Sequence, residues 1–468
     1  MQSTFNLIIM KKQFLIFIST VLFAVLFYNQ EVGVNLSIFV LILLGFNFSQ
    51  KPDLLKDKKA LILASCVVLS SLSNAWLFTF TTFISVIISL FVFRYYSVNP
   101  KLKLLAQAFI NASNWFAAVV QIFQVDDWFQ YDKSKPQNTF SKIFSYFILP
   151  FLILSVFFGI YVVSSDTLSN WYHRYELDIN IVILILVAVL GFYFSFVFWN
   201  AKIYNAFKVL DQSLRLNFTN QDKKQLKPTF EFLEIDFEKR SGIITLICLN
   251  SMLFAFIIIF NVEHFQTTSQ QFSAYSSRIH NQINSLIGSI VLAMMVILFY
   301  FKGALNFIQN NKILLLLSKI WLGLNGVLVI SAAIQNSVYI NALGLTYKRL
   351  GVYLFLILCI VGLFYSYQKI KLQKTNFYLI DKMTWAVFYS LIGCSLLNWG
   401  SIVTRYNLTK TNIDFYYLEN SLRGNEKVLL DFYESNPEFY NDEVKRRVYY
   451  NKEMVPFLSS QLYYKVMN

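Results

Sequence analysis

Two adjacent cations are the residues of this sequence most suited to binding an anion. Lys348 and Arg349 stand in the segment LGLTYKRLGVY, between apolar stretches and beside tyrosines. The planar fork of an arginine can hold a carboxylate or a phosphate through two parallel hydrogen bonds. Two other roles remain open for the pair, namely capping a preceding helix and binding lipid phosphate nonspecifically. Of the two, we expect Arg349 to point into the protein.

A histidine and an asparagine could extend this polar cluster. His280 and Asn284 are four residues apart in SSRIHNQINSLIGSI, so a helix would place them on one face. Together with Lys348, Arg349 and the later pair Arg405-Tyr406 they form the candidate binding site. A zinc site needs three or four converging ligands, which three scattered histidines do not supply, so no metal is predicted.

A third candidate lies within an apolar run. Lys319, in ILLLLSKIWLGLNG, is about 10 Å from the nearer end of its run at helical rise. Its stem could snorkel toward the interface, or its ammonium could share a polar pocket with Asn325. The apolar runs contain no internal Asp or Glu, and this counts against a proton-coupled carrier.

Catalytic signatures are absent from the sequence. It has no Walker loop, Gly-rich dinucleotide fingerprint, His-Glu-x-x-His or Gly-x-Ser-x-Gly motif, so no cofactor is predicted and catalytic residues stay unknown. The four cysteines all lie in apolar runs, without metal-binding spacing, and are interpreted as small core residues.

The elements that must position these residues are membrane helices. The chain is 56% hydrophobic and 14% charged, with a mean hydropathy of +0.51. Apolar runs recur along most of its 468 residues, and a run of about 20 such residues lets a helix cross ~30 Å of hydrocarbon. The prediction is an all-α, polytopic transmembrane bundle.

Eleven spans are predicted, at about 14–29, 34–49, 60–73, 77–95, 143–164, 180–200, 242–262, 282–301, 313–334, 350–367 and 383–403. The third and fourth form a hairpin broken at Ser73-Asn74. Segment 102–123 is amphipathic and is predicted not to span. The bundle would occupy residues 1–404, with its largest cytoplasmic loop at 201–241.

Lysine and arginine counts predict the orientation. With the N-terminus inside, the cytoplasmic segments carry 26 cations and the opposite loops carry four. Cytoplasmic loops are enriched in both residues, so we expect a cytoplasmic N-terminus and an outward-facing C-terminus, which in a bacterial inner membrane is the periplasmic side. The net charge of +14 then follows from topology, and nucleic acid is not an expected partner.

The tail at 405–468 is predicted to be a small α-helical, outward-facing segment. It carries nine cations and nine carboxylates and is rich in tyrosine. Within it, SNPEFYNDEV has the pattern of a helix start, with Asn436 as cap and Pro437 in the first turn. The expected partners are membrane lipids and an envelope protein that contacts this tail.

Three segments carry a resemblance to a known family. SSRIHNQINSLIGSIVLAMMV, GLTYKRLGVY and NWGSIVTRYNLTKTN resemble bacterial polytopic membrane proteins grouped as domain of unknown function 4173, over roughly residues 140–415. The resemblance implies an inner-membrane protein without an assigned activity, and it supplies no catalytic residues.

Three classes of function remain open. The first is an envelope scaffold or assembly protein whose outward tail binds a partner. The second is a transporter or a lipid/glycan flippase. The third is an outer-leaflet enzyme acting on a phosphate-bearing lipid or glycan, with His280 as base and Lys348 and Arg349 holding the phosphate.

Overall fold

The structure is a computed structural model that describes residues 11–129, 149–165, 167–168, 180–224, 234–266, 276–308 and 311–467, with the single positions 146, 228 and 232. These residues form helices joined by turns, and the described ranges contain no strand. One isolated bridge pairs Asn217 with Lys374. The all-α prediction is confirmed.

The helices follow the order of the chain. They are α1 (Lys12–Phe27), α2 (Val34–Gln50), α3 (Lys58–Trp76), α4 (Phe80–Val98), α5 (Leu104–Gln121), α6 (Val125–Trp128), α7 (Leu149–Ser164), α8 (Ile181–Trp199), α9 (Asn205–Ser213), α10 (Asn220–Lys224), α11 (Ile235–Gln266), α12 (Ser276–Tyr300), α13 (Lys312–Leu343), α14 (Tyr347–Lys371), α15 (Asn376–Ser395), α16 (Trp399–Asn407), α17 (Phe415–Asn420), α18 (Glu426–Ser435), α19 (Asp442–Tyr449) and α20 (Leu462–Val466).

Six helices in the described ranges are long and apolar enough to cross a membrane. They are α3, α4, α8, α13, α14 and the part of α11 at Ile235–Val262. Helices α15 and α16 meet at 65° and add a seventh span if they act together. Helices α1 and α2 are apolar but have only 16 and 17 residues, a few ångström short of ~30 Å at helical rise. The eleven membrane passes therefore stay a prediction. The long apolar helices themselves form a membrane-spanning bundle.

The chain divides into two compact units. Unit 1 comprises Met1–Leu102, Gln107–Tyr204 and Arg446–Asn468, and unit 2 comprises Lys103–Ala106 and Asn205–Lys445. The tail is thus shared: its first part clusters with unit 2 and its second part with unit 1.

Unit 1 is built on two helix pairs, α1 with α8 and α3 with α4. Gly191 allows α1 to approach α8, because a Cβ there would lie 2.7 Å from the ring of Phe23. The hairpin break predicted at Ser73-Asn74 is wrong by a few residues. Helix α3 continues to Trp76, and α4 starts at Phe80 because Thr79 forms a capping box with the first turn.

Unit 2 has an apolar core between α11, α12, α13 and α14. At its centre are Leu246, Ile290, Leu314, Leu328 and Cys359, which are almost fully buried. A second cluster lies where α13 meets α14 and the short helices after residue 399. Its members include Leu345, Val403, Leu418, Leu422 and Leu429. This second cluster supports the candidate site.

Candidate functional site

The candidate site centres on the turn at residues 343–346, which joins α13 to α14. Gly344 ends α13 with a φ of +81°, a left-handed conformation that glycine adopts without a Cβ penalty. Thr346 begins α14 as its N-cap, since its hydroxyl accepts the N–H of Arg349 at 3.4 Å. The turn is therefore defined by two residues: Gly344 ends one helix with a positive φ, and Thr346 caps the start of the next.

Arg349 points inward, whereas its neighbour Lys348 is exposed. The Arg349 side chain donates to the carbonyls of Leu343, at 2.8 Å, and of Gly344. Its guanidinium lies 4.2 Å from the centre of the Tyr339 ring. The last carbonyls of a helix lack intrahelical donors and carry a partial negative charge. Arg349 therefore caps α13. Its described partners are two carbonyls and an aromatic ring, and not the carboxylate or phosphate that the sequence suggested.

Asn407, the last residue of α16, holds the same turn from the other side. Its amide oxygen accepts the Leu345 N–H at 2.6 Å, and its amide nitrogen donates to the Leu345 carbonyl at 2.9 Å. A Cβ at Gly344 would lie 2.7 Å from that amide oxygen, so the glycine is needed for packing as well as for its φ. The sequence analysis did not identify Asn407 as a site residue.

Tyr406 and Arg405 differ in their surroundings. The Tyr406 hydroxyl donates to Asn341 near the end of α13, at 3.0 Å, and the ammonium of Lys410 lies 4.8 Å from the centre of the Tyr406 ring. Arg405 is exposed and contacts the hydroxyl of Ser401, at 3.5 Å. Tyr406 is thus brought to the turn, and the described contacts of Arg405 are with its own helix.

Two members of the predicted cluster cannot be placed at the turn. His280 and Asn284 belong to α12, but their side chains lie outside the described part of the structure. The same holds for the other two histidines of the sequence.

The helices after α16 are tied to it by buried side chains. Asn425 is fully buried and donates to the Thr404 hydroxyl and the Leu418 carbonyl, both at 2.7 Å. The Tyr417 hydroxyl accepts the Tyr347 N–H at 3.1 Å. Burial raises the pKa of Tyr417, so this phenol stays neutral at physiological pH. These contacts fix α17 and α18 against the turn.

In unit 1, the final segment is attached in a comparable way. The Ser459 hydroxyl accepts the Glu31 N–H at 2.8 Å, and the Ser460 carbonyl accepts the Val34 N–H at 3.1 Å. Gly33 makes this possible, because a Cβ there would clash with the carbonyls of Ser459 and Ser460. Further along, Gln461 accepts the Phe78 N–H at 3.2 Å. The segment therefore contacts the α1–α2 turn and the α3–α4 turn.

Lys319 does not join a pocket with Asn325. Lys319 is exposed, while Asn325 is fully buried and donates to the Trp321 carbonyl at 2.8 Å. Another lysine of unit 2, Lys369, is buried with a relative exposure of 0%, and its ammonium donates to the Phe301 carbonyl at 2.5 Å. Lys369 lies beyond the span predicted at 350–367 and was therefore expected in a cytoplasmic loop, whereas α14 continues to Lys371.

In several places a lysine or arginine side chain donates to the last carbonyls of a neighbouring helix. Lys369 caps α12 much as Arg349 caps α13. In unit 1, Arg94 donates to the carbonyls of Phe198 and Trp199 at the end of α8, at 2.9 and 3.0 Å. In hydrocarbon, carbonyls without donors are costly, so such caps stabilise helix ends where water is scarce. A cation at the edge of an apolar run is the sequence signal for this role.

A comparison with protein families places the chain. The profile of a family described as a domain of unknown function (DUF4153) matches residues 59–431. The chain belongs to this family. The number 4173 expected from the sequence was wrong, whereas a family without an assigned activity was correct. The DUF4153 match covers the turn, Arg349 and Asn407, and it stops before the segment that contacts Gly33.

Searches of curated proteins and of solved structures gave no match. Evidence on the function of this protein therefore comes from the arrangement of its own residues. Around the 343–346 turn, that arrangement holds helices together.

Proposed function

We propose that this DUF4153 protein is an envelope scaffold or assembly protein of the bacterial inner membrane. Its N-terminus lies in the cytoplasm, and its tail at 405–468 lies in the periplasm and binds a partner protein. Membrane lipids are its other partners.

The ends of unit 1 support this orientation. At one end, Lys12 bonds Asn200, Lys51 bonds the Ser97 carbonyl, and Arg94 bonds Asn47. The opposite end of α2 begins at Val34, where Ser460 of the tail is attached. Cations favour the cytoplasmic side, so the tail belongs on the other side.

The observation that carries the scaffold function is an exposed aromatic surface on an attached segment. Tyr449, Tyr450, Met454 and Phe457, here called the tail surface, have relative exposures of 62%, 58%, 63% and 60%. They follow each other closely in the part of the tail that clusters with unit 1. Tyrosine, phenylalanine and methionine are enriched at protein interfaces. Because Ser459 and Ser460 fix the segment, the tail surface would be presented to a partner at little cost in ordering entropy.

The outer-leaflet enzyme is not favoured by the contacts of Arg349. Arg349 is only 8% exposed, donates through Nη1 to two carbonyls and lies over the Tyr339 ring, so its guanidinium is directed at the end of α13 and away from an open phosphate site.

A transporter is a second candidate, because several polar groups are buried along α13. Among the described atoms, the amide oxygens of Asn325, Gln335 and Asn336 are buried and accept no hydrogen bond. Buried polar groups inside a membrane bundle often mark a path for a polar solute. Asn325→Leu together with Gln335→Leu should abolish a transport phenotype but leave a scaffold phenotype intact.

Site-specific photocrosslinking in cells tests the scaffold function. A photoreactive residue at Tyr450 or Phe457 should give a discrete adduct with one envelope protein. Tyr449→Ser in the same chain should reduce the yield of that adduct several-fold. Phe123 provides the control, because it is an aromatic residue of unit 1 on the predicted cytoplasmic side and is even more exposed, at 83%. Adducts with lipid alone at Tyr450 and Phe457 would show that the tail surface anchors in the membrane, and the scaffold function would then be wrong.

A further inference from the structure

Unit 2 contains a cleft of about 770 Å³ that the predicted function does not use. Three loops form it, at residues 213–222, 302–307 and 375–377. All three belong to segments predicted to lie on the cytoplasmic side.

The walls of the cleft are fixed by contacts with α12 and α14. Lys369 and Asn376 hold the end of α12 by donating to the carbonyls of Phe301 and Leu298, at 2.5 and 2.9 Å. Gln373 donates to the Asn306 carbonyl at 2.7 Å. The loop that carries Lys302 is therefore held in place by the end of α14, the turn after it and the start of α15.

The third wall is attached to the same region. Asn217 pairs with Lys374 in the isolated bridge, and the ammonium of Lys374 donates to the Asn217 side chain at 2.5 Å. The Thr375 N–H donates to the Leu216 carbonyl at 3.3 Å. The 213–222 loop thus has a defined position against the other two, and the cleft is built before any ligand arrives.

The charges in the lining favour an anion. Arg215 and Lys302 contribute two exposed cations, and Asp222 contributes one carboxylate. That carboxylate is already engaged, because it accepts the Thr219 N–H at 2.8 Å and lies 3.9 Å from Arg215. Hydrogen bonds from Thr219 lower the pKa of Asp222, so it remains ionised. The two cations outnumber this one carboxylate, and the lining therefore has a net positive charge.

The remaining lining provides uncharged donors and an apolar side. A hydroxyl and an amide come from Thr219 and Gln221, whereas the hydroxyls of Ser213 and Thr375 already donate to the carbonyls of Leu210 and Arg215. Phe218 packs edge-on against Phe307, with ring centres 5.0 Å apart. A cleft with cations, neutral donors and aromatic rings suits an anion that is joined to a less polar group.

We propose that this cleft binds a phosphate-bearing ligand, with Arg215 and Lys302 contacting the phosphate oxygens and Phe218 and Phe307 contacting the adjoining group. Phosphate offers several oxygens that can accept from an arginine fork and a lysine at once. The ligand can be the headgroup of an anionic lipid in the inner leaflet or a soluble phosphate ester, and the chemistry of recognition is the same.

Ligand-induced stabilisation of the purified full chain in neutral detergent tests the site. The probes are a short-chain phosphatidylglycerol and glycerol 3-phosphate, each titrated while the thermal unfolding temperature is measured. A ligand that binds the folded state at free concentration c stabilises it by RT ln(1 + c/Kd), so this temperature rises steadily with ligand concentration. We expect the wild-type protein to respond to at least one probe by roughly 3 °C or more.

Paired variants separate the cleft from general charge. Arg215→Gln with Lys302→Gln should weaken the apparent affinity at least ~10-fold, a loss of the size expected for charged hydrogen bonds. Lys223→Gln with Lys224→Gln removes the same charge from the same loop region, outside the lining, and should change affinity less than ~2-fold. Lys302→Glu provides a second cleft variant. It alters an exposed residue of the 302–307 loop, so the change is expected to leave folding intact.

The two probes identify the source of the phosphate. A response to phosphatidylglycerol alone assigns the cleft to a lipid headgroup, and a response to both probes shows that a soluble phosphate ester is sufficient. The proposal is overturned if neither probe stabilises the wild-type protein. It is equally overturned if the cleft variants and the Lys223/Lys224 control respond alike.

Discussion

The guanidinium of Arg349 lies 4.2 Å from the centre of the Tyr339 ring, and the two residues belong to consecutive helices, α14 and α13. The contact closes the helical hairpin across its own turn. A cation over an aromatic face gains more when both are removed from water, and Arg349 is only 8% exposed.

We expect Arg349→Lys to destabilise the protein by about 1–3 kcal/mol. A lysine keeps the charge but loses the planar stacking on Tyr339 and cannot reproduce the same pair of carbonyl bonds. Thermal unfolding in detergent measures the loss. Lys348→Arg, a charge-conserving change at the exposed neighbour, should stay within ~0.5 kcal/mol. Equal effects of the two substitutions would contradict the capping role.

Asn407→Ala should lower the free energy of unfolding by about 1–3 kcal/mol, because the buried N–H and carbonyl of Leu345 lose their partners. Asn341→Ala is the matched control. Asn341 is exposed and bonds Tyr406, so we expect a change within ~0.5 kcal/mol. A larger loss for Asn341→Ala than for Asn407→Ala would show that the turn is held in another way.

Gly33→Ala should loosen the attachment of residues 456–467, because the new Cβ would clash with backbone carbonyls that cannot move independently. Limited proteolysis should cut the variant within the tail several-fold faster than the wild-type protein. Gly45→Ala serves as control, since a Cβ at Gly45 meets no atom within 4 Å. The attachment described for Ser459 and Ser460 is wrong if both variants resist protease equally.

Lys369→Met should destabilise unit 2 by about 1–3 kcal/mol. Methionine can fill the space of the lysine stem, but the Phe301 carbonyl then loses its donor. Lys319→Met is the control at an exposed position and should leave stability within ~0.5 kcal/mol. Chemical denaturation of both variants in detergent distinguishes these outcomes, and an unchanged or more stable Lys369→Met protein would refute the cap.

The orientation predicts the activity of reporter fusions. Alkaline phosphatase needs the oxidising periplasm to form its disulfides, so a fusion after residue 410 should be active and a fusion after residue 215 inactive. Assay of whole cells, with expression checked by immunoblot, gives the comparison. The reverse pattern would invert the topology and remove the tail surface from the periplasm.

Composition and periodicity predicted the helical bundle well, because a membrane span must satisfy its backbone internally and so needs a long apolar run. The predicted N-cap was only partly right. Asn436 occupies the N-cap position before Pro437, but its side chain makes no cap bond there and donates to the Phe432 carbonyl of α18 at 3.0 Å. The helix that follows is a single 3₁₀ turn, Pro437–Phe439, before α19. The length of this helical turn depends on tertiary packing, and the local sequence pattern carries no information about that packing.

The roles of the polar residues were much harder to predict. Arg349 was expected to point inward, but its partners, the carbonyls of α13, are not visible as a pattern of side chains. Asn407 is far from Leu345 in the chain, and nothing local distinguishes it from an exposed asparagine. Lys369 was misplaced because a helix that continues past its apolar run can carry a cation into a buried position beside another helix end.

The composition of unit 1 has a consequence for biosynthesis. The turns between its first helices, α1 to α4, are contacted by residues 456–467. All of Asn205–Lys445 must be translated before those residues leave the ribosome. At ordinary elongation rates this interval lasts on the order of tens of seconds. During that time the α1–α2 turn is open to insertion factors or proteases, and a chain released early would keep it open.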